Sequence, residues 1–365
     1  MRLTQVRTSA LAATALLLVA AAGAPAGDGS DAAKPVYGAD GTVHVPAFDL
    51  PPSAYMSREA VDLLRHRAGP ARPATPQMKD IARERLAMEQ MLAPVLQAMR
   101  GRFAVDVVEQ PIAGVRTRIV TPKGGATDRT RVLINLHGGG FHHCADGCAL
   151  LESIPIAALG GWKVVTVDYR EGPEAVFPAA SEDVAAVYRA LLARYKPSQI
   201  GIYGCSAGGS LSGQVAAWLP AHGLPQAGAI GIFGAGGVRD VPGDSSYLAA
   251  YVEGSFAPPP GAKGAPPPAP YRSYFAGADL RDPMVSPALH PDVLKKFPPT
   301  LIITGTRAPD LSAAVYTHSQ LIKAGVPGDL IVGEGMSHCY IMMPQLPEAQ
   351  DAWAAIVKFF RDHLD

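Results

Sequence analysis

The sequence predicts an α/β protein in which a mostly parallel central sheet of about eight strands is covered by helices on both faces. Apolar, β-branched runs recur along the chain, helical patterns separate them, and the runs are continuous rather than alternating. Alternation would mark a sheet with one wet face, whereas continuous apolar strands between helices mark a sheet buried on both sides.

The strand candidates are Val105–Val108, Arg118–Thr121, Val132–Leu136, Val164–Val167, Ile200–Tyr203, Ile230–Phe233, Leu301–Thr304 and Leu330–Val332. The clearest helix runs from Ser181 to Tyr195, where Val184, Val187, Tyr188, Leu191, Leu192 and Tyr195 share a face and Glu182 and Asp183 suit the first turn. Gly209–Leu219, Ala313–Ala324 and Glu348–His363 complete the set. Upstream, Ser57–Ala68 and Lys79–Met99 read as two further helices, the second carrying Pro94 and an apolar stripe from Ile81 to Met99. A stripe of that kind is core, and it is also lid if the helices cover a cleft.

The 365 residues carry 32 Lys+Arg against 32 Asp+Glu, a net charge of zero. That balance offers no general attraction to phosphate, so nucleic acid and anionic membranes are not expected partners. With 48% hydrophobic and 18% charged residues, the chain can bury a large core. At the N-terminus, Arg2 and Arg7 precede an apolar run from Leu11 to Ala22 and the small-residue site Ala24-Pro25-Ala26. Residues 1–26 therefore read as a signal peptide of an exported protein, periplasmic or secreted, with no stable membrane insertion after cleavage. An uncleaved anchor is the alternative, because no charge lies between Arg7 and Asp28.

Two stretches carry chemistry, and both follow predicted strands. Gly204-Cys205-Ser206-Ala207-Gly208-Gly209 stands between Ile200–Tyr203 and a helix, the strand-turn-helix setting that holds a G-x-S-x-G serine clear of the backbone. His137-Gly138-Gly139-Gly140-Phe141 follows Val132–Leu136, and its glycines let backbone N–H groups face a cleft unobstructed, as an oxyanion hole requires. No Gly-Lys-Ser/Thr or G-x-G-x-x-G context accompanies them, which argues against nucleotide binding.

With these motifs the sequence resembles the hormone-sensitive-lipase-like branch of the α/β-hydrolases, the bacterial family IV carboxylesterases. Asp168-Tyr169-Arg170, Pro173-Glu174, Phe177-Pro178-Ala179-Ala180 with Asp183, and Asp282-Pro283-Met284-Val285-Ser286-Pro287 extend the resemblance from about residue 105 to the C-terminus. It implies an α/β-hydrolase fold, Ser206 as nucleophile, and the N–H groups of Gly139, Gly140 and Ala207 as oxyanion donors. Cys205 stands where many family members carry an acidic residue. His338, in Gly335-Met336-Ser337-His338 beyond the last short strand, matches the position of the family's histidine, and the order serine then histidine is that of the fold.

The acid departs from the pattern. The family places an aspartate three residues after the glycine ending the penultimate strand, which here is Ala308, following Gly305. Two readings are open. Asp310, two residues later, bends back past Pro309 to reach His338, with Asp240 a weaker substitute, or the site lacks its acid and the protein binds small hydrophobic ligands without turnover.

His142 and His143 beside Cys144 and Cys148 lack a second ligand pair, and adjacent histidines do not readily face one ion, so no metal is expected. A Cys144–Cys148 bridge is left open, while Cys205 and Cys339 read as buried thiols. Ala257–Pro270, with two triple prolines, reads as an extended surface excursion, either a linker or a flap. The expected organisation is a signal peptide (1–26), N-terminal cap helices (27–102) and a catalytic domain (103–365) holding a second cap piece near 241–277. The expected chemistry is cofactor-free hydrolysis of short or medium acyl esters or lactones through an acyl-enzyme. The oligomeric state is not legible.

Overall fold

The computed structural model describes residues 34–67, 80–239, 241–253, 256, 258 and 274–365. The segment 1–26 read as a signal peptide, Asp240 and all but one residue of the proline-rich stretch Ala257–Pro270 lie outside the described residues. The chain divides into two units, Met1–Leu50 and Pro51–Asp365. The described part of the first is an antiparallel pair, β1 (Val36–Tyr37) and β2 (Val43–His44), with exposed side chains.

The second unit is built on eight strands: β3 (Val105–Glu109), β4 (Thr117–Pro122), β5 (Val132–Leu136), β6 (Lys163–Val167), β7 (Ile200–Cys205), β8 (Ala229–Phe233), β9 (Thr300–Gly305) and β10 (Gly328–Gly333). Their order across the sheet is β10-β9-β8-β7-β5-β6-β4-β3. From β6 to β10 every pairing is parallel, and at the other edge β4 alone runs against the rest, pairing antiparallel with both β6 and β3. Each expected strand is present. The register sets Leu136 beside Gly204 and Cys205 beside Phe233, so the carboxyl ends of β5, β7 and β8 form one rim.

Helices cover both faces. Helices α4 (Ala179–Leu191), α5 (Ala207–Ala221) and α8 (Leu311–Lys323) bury Val184, Leu211, Val215 and Leu321 on one side. On the other side α3 (Gly147–Gly160) and α9 (Pro347–His363) bury Ile154, Trp353 and Phe360. The two upstream helices, α1 (Arg58–Arg65) and α2 (Ile81–Arg102), join this second core through Ala60 and Met99. Helix α2 runs through Pro94, and its N-cap Asp80 accepts from the Ala82 and Arg83 amides. Its stripe is core only toward the carboxyl end, where Met99 is buried and Leu92, Val95 and Leu96 pack against the same cluster, whereas Leu86 and Met91 are exposed. The amino-terminal half instead reaches the glycine loop: Arg85 Nε donates to the His142 carbonyl at 2.8 Å. Two short helices, α6 (Asp244–Val252) after β8 and α7 (Pro291–Leu294) before β9, complete the unit. Among the described residues, no helix is long and apolar enough to cross a membrane.

Candidate active site

Ser206 sits between β7 and α5 with φ 59° and ψ −120°, a conformation that belongs to neither element. Its neighbours make the turn sterically specific. A Cβ on Gly204 would lie 2.0 Å from the Leu136 carbonyl oxygen, and one on Gly208 would lie 1.7 Å from the same atom. Only glycine fits at either position, so the motif's outer glycines are there because β5 passes against the elbow. The Ser206 N–H donates to the Phe233 carbonyl at 2.9 Å, tying the elbow to the end of β8. Ala207 opens α5, and first-turn amides of a helix have no partner within it.

The glycine loop leaves β5 beside this elbow: a Cβ on Gly138 would approach the Ser206 Cβ to 3.4 Å. Gly139, at φ 110°, has no room for a side chain, because a Cβ there would meet the His143 carbonyl oxygen at 1.8 Å. His137 is buried and stacks on Tyr169 at 4.3 Å, and the Tyr169 hydroxyl donates to the His137 carbonyl at 2.7 Å. Burial pulls the His137 imidazole down to about 4. It is therefore neutral at physiological pH and serves the loop's shape.

His338 lies in the loop after β10, and its Nδ1 is 2.6 Å from Asp310 Oδ1. Asp310 is the N-cap residue of α8, yet its side chain makes no capping bond. Instead its second oxygen accepts from Thr304 Oγ1 at 2.6 Å. The carboxylate is thus turned from its own helix and fixed between the end of β9 and the imidazole. Ala308 is 1% exposed and carries no carboxylate. Asp240 lies outside the described residues. Phe256 meets the His338 ring edge-on at 5.1 Å.

A family model for the alpha/beta hydrolase fold matches residues 133–342. The chain belongs to that family. Among curated relatives, an acetyl-hydrolase of Streptomyces hygroscopicus is 30% identical over 246 residues, 63% of this chain and 75% of the relative. A versiconal hemiacetal acetate esterase of Dothistroma septosporum is 29% identical over 281 residues, 72% of this chain and 83% of the relative. One solved esterase structure superposes with TM-score 0.73 at 28% identity, covering 88% of this chain and 99% of the esterase. Another, from the bacterial hormone-sensitive lipase family, gives 0.70 at 28% identity, covering 85% and 99%.

This α/β hydrolase holds its two motifs together with a residue that the sequence patterns missed. Glu152, on α3, is 3% exposed. Its Oε1 accepts from the Gly138 amide at 2.9 Å, and its Oε2 accepts from the Cys205 amide at 3.1 Å and from Asn135 Nδ2 at 2.9 Å. One carboxyl group therefore bridges the glycine loop and the residue before Ser206. Burial pushes it up to about 8 against the pull of those three donors. In its neutral form the group has a proton to donate, and Asn135 Oδ1, which has no hydrogen-bond partner among the described residues, becomes the acceptor if the amide turns over. The clue in the sequence was a lone charge in the otherwise uncharged run Gly147–Gly160.

Three further expectations need correction or completion. Cys205 and Cys339 are bonded to each other, not free thiols. They are 134 residues apart, a distance at which spacing gives no guide to contact. Cys144 and Cys148 are also bridged, their Cα atoms 5.3 Å apart. His142 and His143 do converge, and with Glu84 they offer ligand atoms within 4.8 Å of one another. The glycine loop turns sharply enough to bring adjacent histidines to one place. His142 Nδ1 lies 3.0 Å from the Gly140 carbonyl, which leaves its Nε2 facing Glu84 at 3.6 Å.

Proposed function

We propose that this protein hydrolyses carboxylic esters through an acyl-enzyme formed on Ser206. The observation that carries the reading is the 2.6 Å His338–Asp310 hydrogen bond on the same rim as a strained, strand-to-helix serine. A carboxylate only accepts, so Asp310 holds the Nδ1 proton and leaves Nε2 to take the serine proton. Ser206 Oγ then attacks the ester carbonyl, and the N–H groups of Gly139, Gly140 and Ala207 receive the oxyanion. His338 returns the proton to the leaving alcohol, and a water repeats the sequence to release the acid.

The alternative of a ligand-binding protein without turnover drew its support from the missing carboxylate at Ala308. Asp310 supplies a carboxylate from two residues on. Short or medium acyl esters or lactones are the proposed substrates, a choice that the acetyl-hydrolase and acetate-esterase names of the relatives favour. Export is proposed as well, since two disulfides suit an oxidising compartment.

A panel of p-nitrophenyl esters of rising chain length tests the reading. Hydrolysis should be fastest for the shorter acyl groups, and Ser206→Ala should lower kcat by about 10⁶ with the fold intact. Equal activity in parent and variant would remove the proposal.

A further inference from the structure

Cys205 directly precedes Ser206, and Cys339 directly follows His338. The disulfide between them therefore joins, with one residue of slack on each side, the two groups between which the proton must pass. Its Cα atoms are 6.2 Å apart, and both cysteines are buried, at 0% and 5% exposure.

The two ends are anchored unequally. Cys205 is the last residue of a central strand, its amide held by Glu152, and the Ser206 amide is held by β8. His338 has no such support from a sheet. It lies in a loop, and the residue after it, Cys339, takes a left-handed conformation at φ 51° before a single 3-10 turn, Tyr340–Met342. Asp310 fixes which way the imidazole faces, but hydrogen bonding at Nδ1 leaves the ring free to slide toward or away from the serine. The bridge removes that freedom. It is wedged at the end of β8, where a Cβ on Gly234 would meet Cys339 Sγ at 2.7 Å, Cys205 Sγ at 3.0 Å and His338 Cε1 at 3.3 Å. Strand, bridge and imidazole thus share one wall.

We infer that the Cys205–Cys339 disulfide is a positioning element that sets the reach from His338 to Ser206. The inference rests on the ester-hydrolase reading. A general base must stand within hydrogen-bond reach of its proton, and a displacement of about 1 Å costs on the order of 10²-fold in rate.

The first test is the Cys205→Ala/Cys339→Ala variant, assayed on a p-nitrophenyl ester well below its Tm, with circular dichroism to show that it is folded. The expected result is a fall in kcat of about 10- to 100-fold with KM within about threefold, because the cross-link orients the base and does not touch substrate. A bridge that only stabilises the fold would lower Tm and leave kcat unchanged, and that outcome would overturn the inference.

The second test keeps both sulfur atoms in place. Dithiothreitol supplies two electrons and two protons to the bridge, giving two cysteine thiols and the cyclic disulfide of the reductant. Alkylation and mass spectrometry report which cysteines have opened. Loss of kcat should follow the thiols of Cys205 and Cys339 and not those of Cys144 and Cys148. Full kcat in molecules whose Cys205 and Cys339 are reduced would overturn the inference independently. A parent protein that fails to hydrolyse the ester, or a Ser206→Ala variant that still does, would instead defeat the hydrolase reading, so the two failures are distinct.

Discussion

Replacing Asp310 by asparagine is the sharpest test of how this site is assembled. Both carboxylate oxygens are engaged, Oδ1 with His338 Nδ1 and Oδ2 with Thr304 Oγ1, each at 2.6 Å, so an amide must set its NH₂ group against one of them. If the NH₂ faces the imidazole, Nδ1 has to accept, and the proton moves to Nε2, the nitrogen needed as base. If it faces Thr304, the hydroxyl turns to accept it and the tautomer survives, but no charge remains to stabilise the imidazolium. Both arrangements raise the barrier. The expected loss in kcat is about 10³- to 10⁴-fold, equivalent to about 4–5.5 kcal/mol of transition-state stabilisation. Steady-state kinetics on a p-nitrophenyl ester, with Tm as the check on folding, measures it. The companion variant is Ala308→Asp, which puts a carboxylate at a position 1% exposed. It should lower Tm and give no gain in rate. A neutral Asp310→Asn together with a large gain from Ala308→Asp would refute the argument.

Glu152 makes stability depend on pH in a direction opposite to a salt-bridged acid. Its folded value near 8 lies above the usual 4.5, so the folded protein keeps a proton that the unfolded chain releases. Its contribution is complete below about pH 4.5, declines as pH rises toward about 8, and is lost above that. At about 1.4 kcal/mol per pH unit the gap amounts to several kcal/mol. Denaturant melts of parent and Glu152→Gln at pH 5 and pH 9 should therefore diverge, the variant losing less stability over the range, and parallel slopes would contradict the assignment. Gly208→Ala should fail to fold or lose activity outright, since its Cβ would sit 1.7 Å from a backbone oxygen of β5, and a stable, active variant would show that the elbow is looser than described.

Much of this protein was legible from sequence because the determining interactions are local. A strand buried on both faces must be continuously apolar, and so the central strands β5 to β9 could be located before any contact was known. The edge strands β3 and β10 have exposed positions, and there the β-branched residues gave the signal. The elbow and the glycine loop were legible for a related reason. Backbone passing within van der Waals distance demands glycine, and glycine at fixed spacing is visible in one dimension.

What the sequence left open depended on how separate segments meet. Helix α3 escaped detection because it is apolar all round and contains Pro155, so it shows no periodicity. Glu152 went with it, since a lone carboxylate gains meaning only from the three amide donors that surround it. The candidate acid could not be fixed by counting residues. Whether position 308 or 310 faces His338 depends on how the chain leaves β9 and enters α8, and there Thr304 and the start of the helix turn Asp310 inward. The Cys205–Cys339 bond and the meeting of Glu84 with His142 and His143 belong to the same class. Local chemistry selects which residue types can turn, bury or accept a proton, but distance between side chains far apart in the chain is set by the packed sheet and helices alone.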